Sequence, residues 1–137
     1  MVITIDLTNC GVRNTLVDQG SSVDVLYWRT FKKMGLEESE IIPLDEQIVG
    51  FSGKRVDVKG YIDLHTRFGE PGRGRRTIFV KYIVVDVNTS YNALLGQPSL
   101  NKLGAIVSMP HLTMKFSSDR GSMATIYADQ KTAENAM

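Results

Sequence analysis

The sequence predicts an all-β barrel or sandwich. Short apolar or alternating runs recur along the whole chain, separated by Gly, Pro, Asn and Ser. Only two short segments have helical spacing, and no long amphipathic helix is present. No internal repeat of fixed period is visible.

The elements follow in order. Val2, Ile3, Ile5 and Leu7 are interrupted by Thr4 and Asp6, a strand pattern. Asn9-Cys10-Gly11 reads as a turn, and residues 12–17 as the returning strand of a hairpin. Asp18-Gln19-Gly20-Ser21-Ser22 is a second turn, followed by an apolar stretch at 23–27. Residues 28–34 space Trp28, Phe31 and Met34 as one helical face and stop at Gly35. An acidic connector holding Pro43 fills 37–45. Residues 48–51 and 55–58 flank Ser52-Gly53, and Gly on both sides of Phe51 makes a hairpin tip that can approach another backbone.

Residues 60–68 alternate, and 69–76 read as a solvated, glycine-rich turn carrying Arg73, Arg75 and Arg76. Residues 77–87 and 91–95 are β-rich, the second ending on Gly96. Pro98 opens a short helix over 98–103, closed by Gly104. Residues 105–108 and 112–116 form a hairpin across Met109-Pro110-His111. The folded domain is thus expected over 1–116. Residues 117–137 form a C-terminal extension, with one strand at 124–127 and then a disordered tail.

Bulk properties exclude several classes. The 137 residues suit one domain. Sixteen Lys and Arg against fifteen Asp and Glu leave a net charge of +1, which argues for neither nucleic acid nor membrane as partner. Arg73, Arg75 and Arg76 have no interleaved aromatics, so RNA binding is not expected of them. The single Cys10 excludes an internal disulfide framework and is compatible with a reducing compartment. His65 and His111 lie too far apart in sequence for metal-ligand spacing. No apolar run approaches the roughly 20 residues of a membrane span, and the start lacks a signal-peptide core. The chain is expected to be a piece of a longer polyprotein.

One constellation carries chemistry. Apolar Leu16, Val17, Val23, Val25 and Leu26 draw Asp18 inward, and a carboxylate in that setting needs a reason. Gly20 allows a tight turn whose N–H points at the Asp18 carboxylate, and the Ser21 hydroxyl is expected to donate to it as well. Two such carboxylates within hydrogen-bond distance share one proton, so one activates a water while the other protonates a carbonyl. Asp24, Asp45, Asp57, Asp63, Asp86, Asp119 and Asp129 lack the Gly-Ser context. The second carboxylate is therefore expected from a second copy, with both Asp18 residues on a two-fold axis.

These residues resemble the retropepsins, the aspartic proteases of retroviruses and long-terminal-repeat retrotransposons, and most of all the plant-type gypsy-class elements. Leu16-Val17-Asp18-Gln19-Gly20-Ser21-Ser22 resembles the catalytic turn of that family. Ile48-Val49-Gly50-Phe51-Ser52-Gly53 stands where the family has its flap. Residues 93–105, Ala93-Leu94-Leu95-Gly96-Gln97-Pro98-Ser99-Leu100-Asn101-Lys102-Leu103-Gly104-Ala105, resemble its apolar-apolar-Gly strand, helix and following strand. The likeness spans roughly residues 2 to 116.

The resemblance implies an acid-protease barrel with a flap hairpin, one or two short helices and one lobe per chain. It implies a homodimeric endopeptidase in which Asp18, Gly20 and Ser21 are catalytic, and Gln19 and Gly96 support the dyad and dimer axis. Ser22, Val23, Asp24, Gly50, Phe51, Ser52, Gly53 and Leu94 would meet the peptide by analogy of position. It implies no metal or organic cofactor, a polyprotein substrate, and a cytoplasmic setting within a virus-like particle. Gln19 departs from the family, which usually has Thr there. The sequence therefore also carries a second reading, an inactive or weak module for dimerisation or peptide binding. A third is a cellular protein that has taken over the fold.

Overall fold

Alternation decides the first hairpin. Ile3, Ile5 and Leu7 share one face of β1 (Val2–Leu7), and none is more than 2% exposed. In the computed structural model, which describes residues 1–44 and 57–129, β2 (Cys10–Val17) returns antiparallel with Leu7 opposite Cys10. The connection is therefore Thr8 and Asn9, both at positive φ (45° and 72°), a twist that suits a two-residue hairpin. The turn expected at Asn9-Cys10-Gly11 thus sits earlier, and Cys10 is already in the strand.

The chain then leaves β2 without pairing the next strand to it. Between β2 and β3 (Asp24–Tyr27) lies β6 (Ala93–Leu95), parallel to β2 and antiparallel to β3. β4 (Asp57–Glu70) and β5 (Gly74–Asp86) form a long antiparallel hairpin; β5 runs parallel to β3 and β4 meets β1. These six strands close into a barrel ordered β1-β2-β6-β3-β5-β4. The expected glycine-rich turn at 69–76 shrinks to 71–73, because Glu70 already faces Gly74 across the ladder. The strand expected over 91–95 starts at Ala93.

Two short helices brace the outside. α1 (Trp28–Lys33) buries Phe31 completely, with Trp28 stacked on it at 5.2 Å between ring centroids. α2 (Gln97–Leu103) carries a proline in its first turn and ends at Gly104 (φ 62°). Arg76 is not part of a solvated turn: its guanidinium donates to the Leu103, Lys102 and Ser117 carbonyls at 3.2, 3.1 and 3.4 Å. A cation there satisfies carbonyls that the helix end leaves open.

β7 (Ile106–Ser108), β8 (Thr113–Ser117) and β9 (Met123–Tyr127) form a separate antiparallel sheet. Its Met114, Phe116 and Ala124 join the barrel core, Phe116 meeting Phe68 edge-on at 6.3 Å. After β9 the chain reaches the start of β1: the Asp129 N–H donates to the Val2 carbonyl (2.9 Å), and Thr4 Oγ1 to Asp129 Oδ2 (2.9 Å). The flap expected at Gly50, Phe51, Ser52 and Gly53 and the tail at 130–137 lie outside the described residues.

Some contacts in the core are polar, and one joins two side chains. Tyr82 is fully buried, and its hydroxyl sits 2.8 Å from Thr66 Oγ1. Tyr82→Phe is expected to lower stability by about 1–2 kcal/mol, the cost of losing a buried neutral hydrogen bond while Thr66 keeps its bond to the Leu64 carbonyl. Denaturant unfolding with an unchanged slope checks this.

Candidate active site

β6 builds the site. Because it separates β2 from β3, residues 18–23 must cross over its end. Leu95 lies in register with Val17, and the next amide, Asp18 N–H, donates to the Leu95 carbonyl at 2.9 Å. The crossing then folds tightly: Ser21 N–H donates to the Asp18 carbonyl (3.2 Å), and Gly20 N–H to Asp18 Oδ1 (2.9 Å). The second bond holds the plane of the carboxylate. Asp18 is half-buried, while Gln19, Gly20 and Ser22 are exposed.

The Ser21 hydroxyl does not donate to Asp18. It donates to the Val23 carbonyl at 2.7 Å and accepts the Val23 N–H at 3.3 Å. Small hydroxyl residues bond backbone two residues on, and here that local turn wins. Ser21 thus shapes the exit of the turn.

The β6–α2 junction clamps the same turn. Gln97 N–H donates to the Ser21 carbonyl (2.8 Å), and Gln97 Nε2 to the Gln19 carbonyl (3.0 Å). Gly96 N–H donates to Asp24 Oδ1 at 2.7 Å. A Cβ on Gly96 would collide with the Val23 carbonyl oxygen and lie 2.7 Å from that of Ser21. Only glycine lets these backbones approach so closely.

Two residues expected to meet peptide are buried in the single chain. Asp24 is 2% exposed, because it starts β3 with its carboxylate turned to Gly96. Leu94 is 5% exposed, because β6 is flanked on both sides, opposite Leu16 and Val25. Exposed Ser22, half-buried Val23 and the edge of Asp24 line a groove of about 360 Å³ beside the turn, with Leu44, Val80, Ile83, Pro98 and Ser99 among its walls. Lys81 and Lys102 also line it. A second groove, about 480 Å³ among Arg73, Arg75 and Arg120, holds none of the predicted site residues.

Sequence reasoning missed two neighbours of Asp18. Gln97 clamps the turn through both its amide and its side chain; its only signal was its place directly after Gly96. Tyr27 is half-buried, and its phenol is pushed up in pKa by burial first, then by Tyr91 and by the Asp18 charge. Nothing in its local pattern pointed to Asp18, since the approach is tertiary.

A carboxylate fixed on a glycine turn at the open end of a strand can hold a water and accept its proton. The barrel and few short helices define the retropepsin-like fold. Among solved structures, the retroviral protease-like domain of Ddi1 from Leishmania major is similar with a TM-score of 0.66 at 15% identity, covering 93% of this chain and 91% of that one. A retropepsin-like aspartic protease from Rickettsia conorii is similar with a TM-score of 0.56 at 16% identity, covering 92% and 81%. No family model matches the sequence, and no curated protein matches it.

Proposed function

We propose that this chain is an aspartic endopeptidase that works as a homodimer and cleaves a retrotransposon polyprotein of which it is part. The observation that carries this is the Asp18 carboxylate, held by the Gly20 N–H at 2.9 Å on a turn anchored to β6. The fold, similar to that of a retroviral protease-like domain and of a retropepsin-like aspartic protease, supports it.

The chemistry needs two carboxylates, and one chain supplies one such turn. In the dimer the two Asp18 side chains share a single proton. The ionised one takes a proton from water as the oxygen attacks the peptide carbonyl carbon. The protonated one gives its proton to the carbonyl oxygen. The resulting diol collapses: the carboxylate now ionised takes a hydroxyl proton as the C=O re-forms and the C–N bond breaks. The amine leaves with the proton held by the other, which restores the singly protonated dyad. The peptide lies extended past Ser22 and Val23, as a strand beside main-chain groups.

Gln19 favours a second reading. Its carbonyl is already used by Gln97, and its exposed side chain is longer and looser than a threonine at a two-fold contact. Ordering each glutamine costs up to about 1.5–2 kcal/mol. Weak dimerisation with little cleavage would follow.

A dilution series separates the two. Below the dimer dissociation constant, cleavage of a peptide library near pH 5 is expected to rise with the square of chain concentration. Sedimentation on the same samples reports the dimer. Cleavage by a strictly monomeric chain would sink the homodimer, and a dimer without cleavage would establish the second reading.

A further inference from the structure

We propose that Asp24 is a positioning residue for Asp18, acting through the β6–α2 junction. This rests on the protease reading above. Residues 95, 96 and 97 are consecutive, and each holds the catalytic segment. The Leu95 carbonyl takes the Asp18 N–H, Gly96 N–H reaches Asp24, and Gln97 N–H reaches the Ser21 carbonyl. Three of these clamps join neutral groups, counting the Gln97 side chain on Gln19. The Gly96–Asp24 bond alone ends on a carboxylate, is buried, and at 2.7 Å is the shortest of the four. Bonds to ionised acceptors are roughly twice as strong as neutral ones. Asp24 therefore sets where Gly96 sits, and with it the carbonyl one residue back that receives the Asp18 amide.

The surroundings make this clamp sensitive to charge. Ser99, 1% exposed, faces the Asp24 carboxyl with its hydroxyl and amide. Its Oγ makes no well-formed hydrogen bond to a described residue. Lys102 of α2 adds a favourable charge. From β5, Tyr82 feels the Asp24 charge, and Lys81 lines the same groove. Burial pushes the Asp24 carboxyl above the usual carboxylate range, against the opposing pull of Gly96, Ser99 and Lys102. Ionised, Asp24 accepts the Gly96 N–H. Protonated, it gains an O–H that the vacant Ser99 Oγ can accept, and its hold on Gly96 weakens.

Asp24→Asn tests this. It keeps the shape and removes the charge. The expected result is a kcat about tenfold lower or more, with KM nearly unchanged, since misplaced catalytic groups lose rate before binding. The acid limb of the pH profile should also change shape. A purely structural role would lower stability and leave that limb alone. The stability sign is fixed as well. A raised carboxyl pKa gives stability that is full below the unfolded value and lost as pH rises through the folded one. Wild type should therefore lose more stability than Asp24→Asn between acid and neutral pH.

NMR on wild type decides the matter should the variant fail to fold. The Leu95 carbonyl carbon is expected to titrate in step with the Asp24 carboxyl carbon. Unchanged kcat and pH profile in a folded, dimeric variant would overturn the proposal, as would a Leu95 carbonyl indifferent to Asp24. An inactive wild type overturns the protease reading instead and leaves the NMR titration to decide this one.

Discussion

Asp18→Asn is expected to lower peptide cleavage by about 10²- to 10⁴-fold, the scale of losing general acid–base catalysis. The fold should survive, because the asparagine Oδ1 still accepts the Gly20 N–H and the side chain is only half-buried. Dimerisation should survive, since two asparagine amides can still hydrogen-bond across the axis and carry no charge to repel. The stoichiometry gives a sharper readout. A mixed dimer holds one carboxylate and cannot share a proton between two. Adding Asp18→Asn chain to wild type should therefore remove activity beyond simple dilution, as wild-type chains are drawn into mixed dimers. Cleavage that persists in the pure variant would show that Asp18 is not the acid–base group. Cleavage that falls only in proportion to dilution would show that each chain acts alone.

Gly96→Ala should be the most damaging single methyl addition in the site. Its Cβ would strike the Val23 carbonyl oxygen and crowd that of Ser21, both backbone atoms that no rotamer change can move aside. Overpacking of this kind costs roughly 1–3 kcal/mol, and here relief requires opening the clamp that holds Asp18. A loss of at least about 3 kcal/mol, with activity gone, is expected from thermal or denaturant unfolding and peptide cleavage. Gly35→Ala is the control. That glycine has φ 75° and nothing within 4 Å of its Cβ. Its cost should stay near 1 kcal/mol, with cleavage unaffected. Equal losses at both positions would show that the close approach to residues 21–23 carries no cost of its own, since Gly96 at φ −102° needs no glycine backbone freedom.

Much of the site was legible because it is local. Asp18, Gly20 and Ser21 lie within four residues, and a carboxylate, a glycine and a hydroxyl in that order specify a turn whatever surrounds it. The bond from Gly20 N–H to Asp18 followed directly. The Ser21 bond did not: two acceptors lay within its reach, and local geometry chose Val23. The helices were legible from their ends, Gly35 and Gly104. Arg76 was misread as solvated because its partners, Leu103, Lys102 and Ser117, are 26 to 41 residues away.

By itself the sequence determined strand periodicity, helix stops and the chemistry of the 18–22 turn, since each depends on neighbours a few residues apart. Only the tertiary structure decided that β6 lies between β2 and β3. That placement involves a parallel pairing across 78 residues, from Val17 to Leu95, and no local propensity encodes it. It also turned Asp24 inward. Its position after the turn had suggested, by analogy alone, a contact with peptide. The insertion of β6 put Gly96 N–H 2.7 Å from the Asp24 carboxylate, where a buried charge is retained because it is hydrogen-bonded.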